Sequence, residues 1–412
     1  MAVIKKDVVI IGGGPAGLAA AVELKTKGIS DIIILEREKQ LGGVLRQCIH
    51  DGFGLTRFKR TLSGPEYSQK FIDKVDELGI EYITNTTVID ITSKRIVTAV
   101  SRNGLLKYEA RAVVLAMGCR ERTRGAIGIP GTRPSGVYNA GVAQAYVNLY
   151  NKMIGREIII LGSGDIGMIM ARRMTLEGAK VKAVFEIQPY PSGLPRNIEQ
   201  CLNDYDIPLY LSHTITAIKG NSKLEGITVC KVDEKMKPIP GTEKDYTCDT
   251  LILSVGLIPE NELSLAADVV LDNRTKGAIV DENYQTSVEG IFAAGNVLHV
   301  HDLVDFVSLE AEGLADSVEE YINTGGFDRS NIDIVAGDNI GHTVPQKISG
   351  KKDFQLSMRV RKPIKNCRIE VAQSGNVIKT VKLKKAVPAK MIQFKINRED
   401  IKSMDNIEVA AK

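Results

Sequence analysis

Residues 8–37 read VVIIGGGPAGLAAAVELKTKGISDIIILER, and residues 158–187 read IIILGSGDIGMIMARRMTLEGAKVKAVFEI. An offset of 150 with no gap lays one on the other: Gly12 on Gly162, Gly14 on Gly164, Gly17 on Gly167, Gly28 on Gly178 and Glu36 on Glu186. Each copy is an apolar run of strand length, a G-x-G-x-x-G turn, a helix-length stretch, a glycine stop and a second apolar strand. That is a β-α-β unit of the kind that holds a dinucleotide. Each copy is completed by a later apolar run ending in glycine, 113–118 (VVLAMG) and 251–256 (LILSVG). Runs without polar alternation suit strands covered on both faces.

The expected fold class is therefore α/β, with two doubly wound Rossmann-like nucleotide-binding domains. The first domain is expected to span 1–121 and resume at 257–335, with the second inserted at 122–256. A small β-rich C-terminal domain is expected at 341–412. That tail carries 17 Lys/Arg against 6 Asp/Glu, a net +11, so the first 340 residues sum to −7. Segments 354–360 and 368–371 alternate with period two, and Ser374-Gly375-Asn376 reads as the turn of a hairpin.

Composition excludes several classes. The apolar fraction of 43% and charged fraction of 25% over 412 residues are those of a globular chain, not a disordered or fibrous one. A net charge of +4 gives no case for nucleic acid. No apolar run approaches the ~18–20 residues of a membrane span, and no export signal opens the sequence. A cytoplasmic protein with reduced thiols is expected, since six cysteines lie scattered with no C-x-x-C pair.

In the first copy Gly12 permits the tight turn, Gly14 lets backbone approach a pyrophosphate, and Gly17 allows close helix–strand packing. The helix N-terminus offers unpaired N–H groups to the phosphates. Glu36 ends the second strand, placed for a ribose diol. Both NAD and FAD fit this unit. Leu41-Gly42-Gly43 directly after the acidic strand end, and the later segment 286–296 (TSVEGIFAAGN), favour FAD.

With GGGPAG at 12–17, Glu36, the Gly42-Gly43 pair, the Ala116-Met117-Gly118 strand end, the second G-x-G-x-x-G, Val255-Gly256 with Pro259 and the FAAGN segment, the chain resembles the pyridine nucleotide-disulfide oxidoreductase superfamily. The resemblance spans 7–315. It implies a bound FAD, an inserted pyridine-nucleotide domain, and FAD contacts extending to Pro15, Ala16, Arg37, Val44, Val88, Gly118, Gly295 and Asn296. The superfamily usually has Asp where Asn296 stands, and Asn can still offer a carbonyl oxygen to the flavin ribityl chain. A helix start near Ser308 is implied to face the pyrimidine edge of the flavin.

In the second copy Gly162, Gly164, Ile166 and Gly167 are expected to cradle the other pyrophosphate, with Gly256 beside them. Asp165 reads either as part of that site or as a helix cap. Glu186 stands where a ribose 2′-hydroxyl would lie, and an acid repels a 2′-phosphate. NAD(H) is therefore expected over NADP(H).

Disulfide reductases of the superfamily carry a C-x₄-C pair after the Gly-Gly loop or a C-x-x-C pair in the nicotinamide domain, and this sequence has neither. A two-cysteine relay is not expected. Cys48 with His50 is the sharpest catalytic candidate, because an imidazolium could activate the thiol; a buried structural thiol is the plainer reading, as it is for Cys119. His299, His301 and Asp302 could suggest a metal, but no third strong ligand cluster appears, and none is expected. They read instead as lining the flavin approach or capping the next helix. Arg120, Arg122 and Arg124 read as a solvated run or a phosphate or partner contact.

The stretches 47–54 (QCIHDGFG) and 295–305 (GNVLHVHDLVD) narrow the resemblance. They are similar to the oxidoreductase subunits associated with bacterial glycerol-3-phosphate dehydrogenases and to the alpha subunits of opine and proline dehydrogenase complexes. That implies hydride exchange between NAD(H) and FAD, with electrons passed to or from a partner dehydrogenase subunit or small electron carrier. Oligomerisation and peripheral membrane association through the partner are implied with it, and the basic tail is a candidate docking surface. Two alternatives stay open: a free-standing NADH oxidase or peroxidase using Cys48, and a nucleotide-binding assembly subunit without activity.

Overall fold

The computed structural model describes residues 3–328 and 330–412. They form two compact units, one of residues 3–119 with 259–412 and one of Arg120–Ile258. The first unit is built on a seven-stranded sheet. Its order is Glu81–Ile83, Ile32–Leu35, Ile4–Ile11, Gly104–Leu115, Ile96–Ser101 and Thr87–Ile91, and Ile291–Ala293 also pairs with Gly104–Leu115. The strands at the dinucleotide turn run parallel, with Ile11 level with Leu35 and with Leu115.

The apolar runs are buried on both faces because alternate side chains enter different cores. Val8, Ile10, Ile32 and Ile34 pack under helices Pro15–Thr26 and Val304–Thr324, with Leu18, Ala311 and Leu314. Val9, Ile11, Ile33 and Leu35 face the other way, onto Ile91, Val97, Val280 and Leu298. This two-sided burial is what a parallel sheet requires.

The second unit repeats the plan with a five-stranded parallel sheet, ordered Leu209–Leu211, Lys180–Glu186, Glu157–Leu161, Thr250–Leu253 and Val137–Asn139. Helix Asp165–Leu176 follows its central strand. Here Leu161 is level with Leu253, as Ile11 is with Leu115.

From Ile332 onward the first unit carries a separate core. Two sheets share it: a five-stranded one with Ile364–Gln373 and Asn376–Ala386 at one side, and a three-stranded one of Ile340–Val344, Phe354–Val360 and Ile392–Ile396. Leu356, Met358, Ile369, Val371 and Val409 meet between them, the arrangement of a β-sandwich. Ser374 and Gly375, both at positive φ, turn the hairpin whose last pair is Gln373 with Asn376. The outer strand exposes Lys382, Lys384 and Lys385, and lysines on an edge strand discourage strand addition by another chain. No helix among the described residues is long and apolar enough to cross a membrane.

Candidate dinucleotide sites

The two G-x-G-x-x-G turns are built alike from different side chains. A Cβ on Gly12 would stand 2.4 Å from the carbonyl oxygen of Ala116, and one on Gly162 would stand 2.0 Å from that of Ser254. Both glycines have φ near +100°, so no other residue is accommodated at either. A Cβ on Gly17 would lie 1.9 Å from the Gly12 carbonyl oxygen, and one on Gly167 would lie 2.7 Å from that of Gly162. These contacts press each helix against its strand and aim its first turn at the strand ends.

Each acid that ends a second strand is tied to its own turn. Glu36 is buried and accepts the N–H of Gly13 at 2.7 Å and of Glu38 at 2.8 Å. Glu186 is buried and accepts the N–H of Ser163 at 3.0 Å and of Gln188 at 2.9 Å. Glu186 additionally takes the hydroxyls of Ser163 at 2.6 Å and Ser192 at 2.7 Å.

The first turn fits a phosphate-bearing ligand. Helix Pro15–Thr26 has Gly14 as its N-cap, no side-chain cap and no acid in its first turn, leaving its N–H groups for an anion. A Cβ on Gly14 would meet only the Cα of Gly43, at 3.9 Å. Gly42 donates its N–H to Gly13 at 2.8 Å, which holds the Gly42-Gly43 loop across the mouth of the turn. Pro15 starts the helix and Ala16 is buried under it, while Arg37 and Val44 are exposed nearby. Ala116 donates its N–H to Ile11. Gly118, at φ +74°, accepts the N–H of Glu260. Val88, on Thr87–Ile91, packs against the far core of the sheet.

The second turn differs at Asp165. It does not cap its helix; its carboxylate accepts the N–H of Leu194 at 2.7 Å and the amide of Asn197 at 2.6 Å. The capping alternative is thus replaced by a brace that holds 192–197 beside the turn. Ile166 follows in the same helix, partly buried. Gly256, at φ +106°, accepts the N–H of Arg122. Arg124 donates to the carbonyls of Ile129, Gly131 and Thr132, a loop clamp rather than a solvated cation. The stretch after Glu186, Ile187 to Ser192, contains no arginine or lysine.

Around Asn296 the structure amends the expectation. Its Oδ1 accepts the backbone N–H of His301 at 3.0 Å, and its amide nitrogen lies 3.6 Å from Cys119 Sγ. One lone pair of the amide oxygen is used within the loop, and the N–H side is turned toward the end of strand Gly104–Leu115. Gly295, at φ +77°, donates its N–H to Glu310 at 2.7 Å. The following helix begins at Val304, four residues before Ser308, with no side-chain cap, so neither His301 nor Asp302 caps it. Ser308 instead accepts the hydroxyl of Tyr67 in the core.

The two stretches that narrow the resemblance meet in space. Asp305 accepts the N–H of Gly54 at 3.1 Å and of Arg57 at 2.7 Å, and Arg57 pairs with Glu312. Behind them lie His299 and Glu310, joined at 2.6 Å and buried. Burial opposes the charge on Glu310, but His299 and His301 outweigh it and hold the carboxyl well below the usual carboxylate range.

The surroundings of Cys48 work against a thiolate. Burial alone pushes its thiol up to about 12, and its sulfur contacts the Val44 carbonyl. His50 lies against the Phe53 ring and contacts the Asp51 carbonyl. None of the described cysteines is in a disulfide.

The chain is 28% identical to thioredoxin reductase of Bacillus subtilis, over 77% of this chain and 94% of that protein. It is 23% identical to an opine oxidase subunit from Agrobacterium tumefaciens, over 70% of this chain and 61% of that one. The crystal structure of T. acidophilum thioredoxin reductase shares the fold, with a TM-score of 0.64, 23% identity, and 77% and 98% of the two chains covered. With the pyridine nucleotide-disulphide oxidoreductase model matching residues 6–315, the chain belongs to that family and is an FAD-dependent NAD(P)H oxidoreductase.

Proposed function

We propose that the chain is the NADH-linked flavoprotein subunit of a dehydrogenase assembly, working without a redox disulfide. It exchanges hydride between NAD(H) and FAD and passes electrons to or from a partner subunit that oxidises a small substrate, of glycerol-3-phosphate or amino-acid and opine type. The observation that carries this reading is the pair of like-built turns, each with a buried carboxylate at its strand end, in a sequence that has no C-x-x-C or C-x₄-C pair. The similarity to a protein named as an oxidase subunit supports the partner.

FAD, when bound, supplies the centre that exchanges hydride with a nicotinamide. The residues of the chain bind and orient. Gly12, Gly14 and Gly17 with the first helix N-terminus take the FAD pyrophosphate, and Glu36 its ribose. Gly42 and Gly43 close over the phosphates, and the Gly295-Asn296 loop faces the ribityl chain. Gly162, Gly164 and Gly167 take the NAD(H) pyrophosphate, and Glu186 its ribose. The carboxylate of Glu186, with no cation from Ile187 to Ser192, disfavours a 2′-phosphate. The basic tail is the proposed meeting surface for the partner.

Anaerobic mixing of the FAD-loaded protein with NADH and, separately, NADPH tests this. Fast loss of the flavin band with NADH alone is expected. Bleaching by NADPH in preference overturns the nucleotide assignment. No bleaching with either, even with the partner subunit present, overturns the reductase reading.

A further inference from the structure

Behind the Gly295-Asn296 turn, four titratable side chains gather, three of them shut away from water and the fourth, His342, half-buried. His299 and His301 come from the loop, Glu310 from the second turn of Val304–Thr324, and His342 from strand Ile340–Val344. The Nε2 atoms of His299 and His301 lie 2.6 Å and 3.4 Å from one oxygen, Glu310 Oε2, and the three side chains are 0%, 1% and 4% exposed. All three ligand atoms lie within 4.8 Å of one another. The second oxygen of Glu310 is fixed by the N–H of Gly295 at 2.7 Å.

The hydrogen bonds of this cluster do not balance. Nδ1 of His299, Nδ1 of His301 and Nε2 of His342 are buried without a hydrogen-bond partner, and Nε2 of His301 has only its long 3.4 Å approach to Glu310, outside hydrogen-bond geometry. Leaving a buried polar atom unpaired is costly, and so many in one cluster exceed what a native core ordinarily carries. A buried histidine–carboxylate pair accounts for His299 and Glu310 but leaves His301, with Nδ1 unpartnered and Nε2 too far from Glu310 for a good hydrogen bond, pointing to a ligand that takes a ring lone pair.

We propose that His299, His301 and Glu310 bind one divalent transition-metal ion of the zinc or ferrous class. Two imidazoles and a carboxylate suit that class, whereas magnesium and calcium prefer all-oxygen shells. With metal–ligand distances of ~2.0–2.1 Å, tetrahedral ligand atoms stand ~3.3–3.4 Å apart. His301 and Glu310 already have that spacing. His299 and Glu310 are closer because the Nε2–H of His299 bridges them; for Nε2 to ligate, that proton moves to the open Nδ1, the ion takes its place, and the pair opens by roughly 0.7 Å. The N–H of Gly295 on the outer oxygen of Glu310 is the kind of second contact that orients a ligating carboxylate. His342, its ring 6.0 Å from that of His299, adds a further imidazole beside the site. The nearby cation, Arg359, is partly neutralised by Asp302 at 3.4 Å. The bound ion would pin the 299–302 loop to the helix directly behind Asn296.

The test is metal content by inductively coupled plasma mass spectrometry on the full-length protein, purified without metal-affinity resin from cells grown with added zinc and iron. About one equivalent per chain is expected, lost in both His301→Gln and Glu310→Gln. Chelated protein titrated with Co²⁺ should develop ligand-field bands to the red of the flavin band, absent in His301→Gln. Circular dichroism shows whether each variant is folded, and His301→Gln, which changes no backbone contact, guards against a misfolded Glu310→Gln. Metal well below stoichiometric in the wild type, together with no cobalt bands, overturns the proposal and leaves a buried ion pair. Unchanged metal content in folded His301→Gln overturns it equally.

Discussion

Arg359, in the C-terminal sandwich, donates to the carbonyl of Val300 at 3.0 Å, in the loop that follows Asn296. The same guanidinium reaches the carbonyl of Pro388 at 2.8 Å and, at 3.4 Å, the nearly buried Asp302, which also takes the N–H of Met391. The tail is therefore bolted to the loop that carries Asn296. Removing Arg359 strands the Asp302 charge, and breaking a buried pair from one side costs ~3–5 kcal/mol. Arg359→Ala should lower Tm by several degrees and release flavin on gel filtration, while Lys384→Ala on the exposed edge strand should do neither. Equal behaviour of the two variants would remove the bolt.

Gly14→Ala separates ligand binding from folding. The new methyl meets nothing nearer than the Gly43 Cα at 3.9 Å, so stability should stay within about 0.5 kcal/mol of wild type. A pyrophosphate packed on that backbone would be displaced. The flavin-to-protein ratio should fall sharply with an unchanged Tm of the flavin-free protein. Gly12→Ala, 2.4 Å from the Ala116 oxygen, should instead damage folding itself.

Gln188→Arg should shift nucleotide choice. The backbone N–H of Gln188 holds Glu186 and survives the substitution, while the new guanidinium enters a stretch with no cation. NADPH relative to NADH, compared as kcat/KM, should improve by roughly tenfold, the effect of ~1.4 kcal/mol. No change would move the 2′-position away from Glu186.

Cys48 should be silent near neutral pH. With its thiol pushed up to about 12, alkylation should be slow at pH 7 and accelerate only in strongly alkaline solution. The sign for stability follows from the same shift. The unfolded thiol ionises near 9 while the folded one stays protonated, so stability declines as pH rises from about 9 toward 12 and is untouched below. Cys48→Ser should leave NADH-driven dye reduction intact and flatten part of that alkaline decline. Loss of dye reduction would restore Cys48 to the chemistry.

The paired turns were legible because their constraints are local. A carbonyl 2.0–2.4 Å from a would-be Cβ admits glycine alone, and strands buried on both faces must be apolar throughout. The hairpin at 374–375 was legible because both positions need positive φ. What escaped is what the chain brings together from afar. Glu310 completes a trio with His299 and His301 only because a helix begins at Val304, earlier than the spacing suggested. Asp165 could be read as a site residue or a cap, yet its partners Leu194 and Asn197 are 29 and 32 residues away. Arg359 reaches Val300 across 59 residues, and no period or motif announces such a contact.

The way the first unit is threaded governs the order in which this chain can mature. The end of strand Gly104–Leu115 finds its second neighbour only at Ile291–Ala293, and the cover of the helix at 15–26 is completed only at 304–324. Residues 120–258 are continuous and hold their own sheet. On a ribosome, the middle of the protein can finish first, while the first 119 residues wait with a sheet edge and an apolar helix face uncovered. A chain cut short between residues 258 and 324 would be a well-formed centre attached to an unfinished beginning. Such a product should be sought by holdase chaperones and proteases, and flavin can enter only after nearly four fifths of the polypeptide has been made.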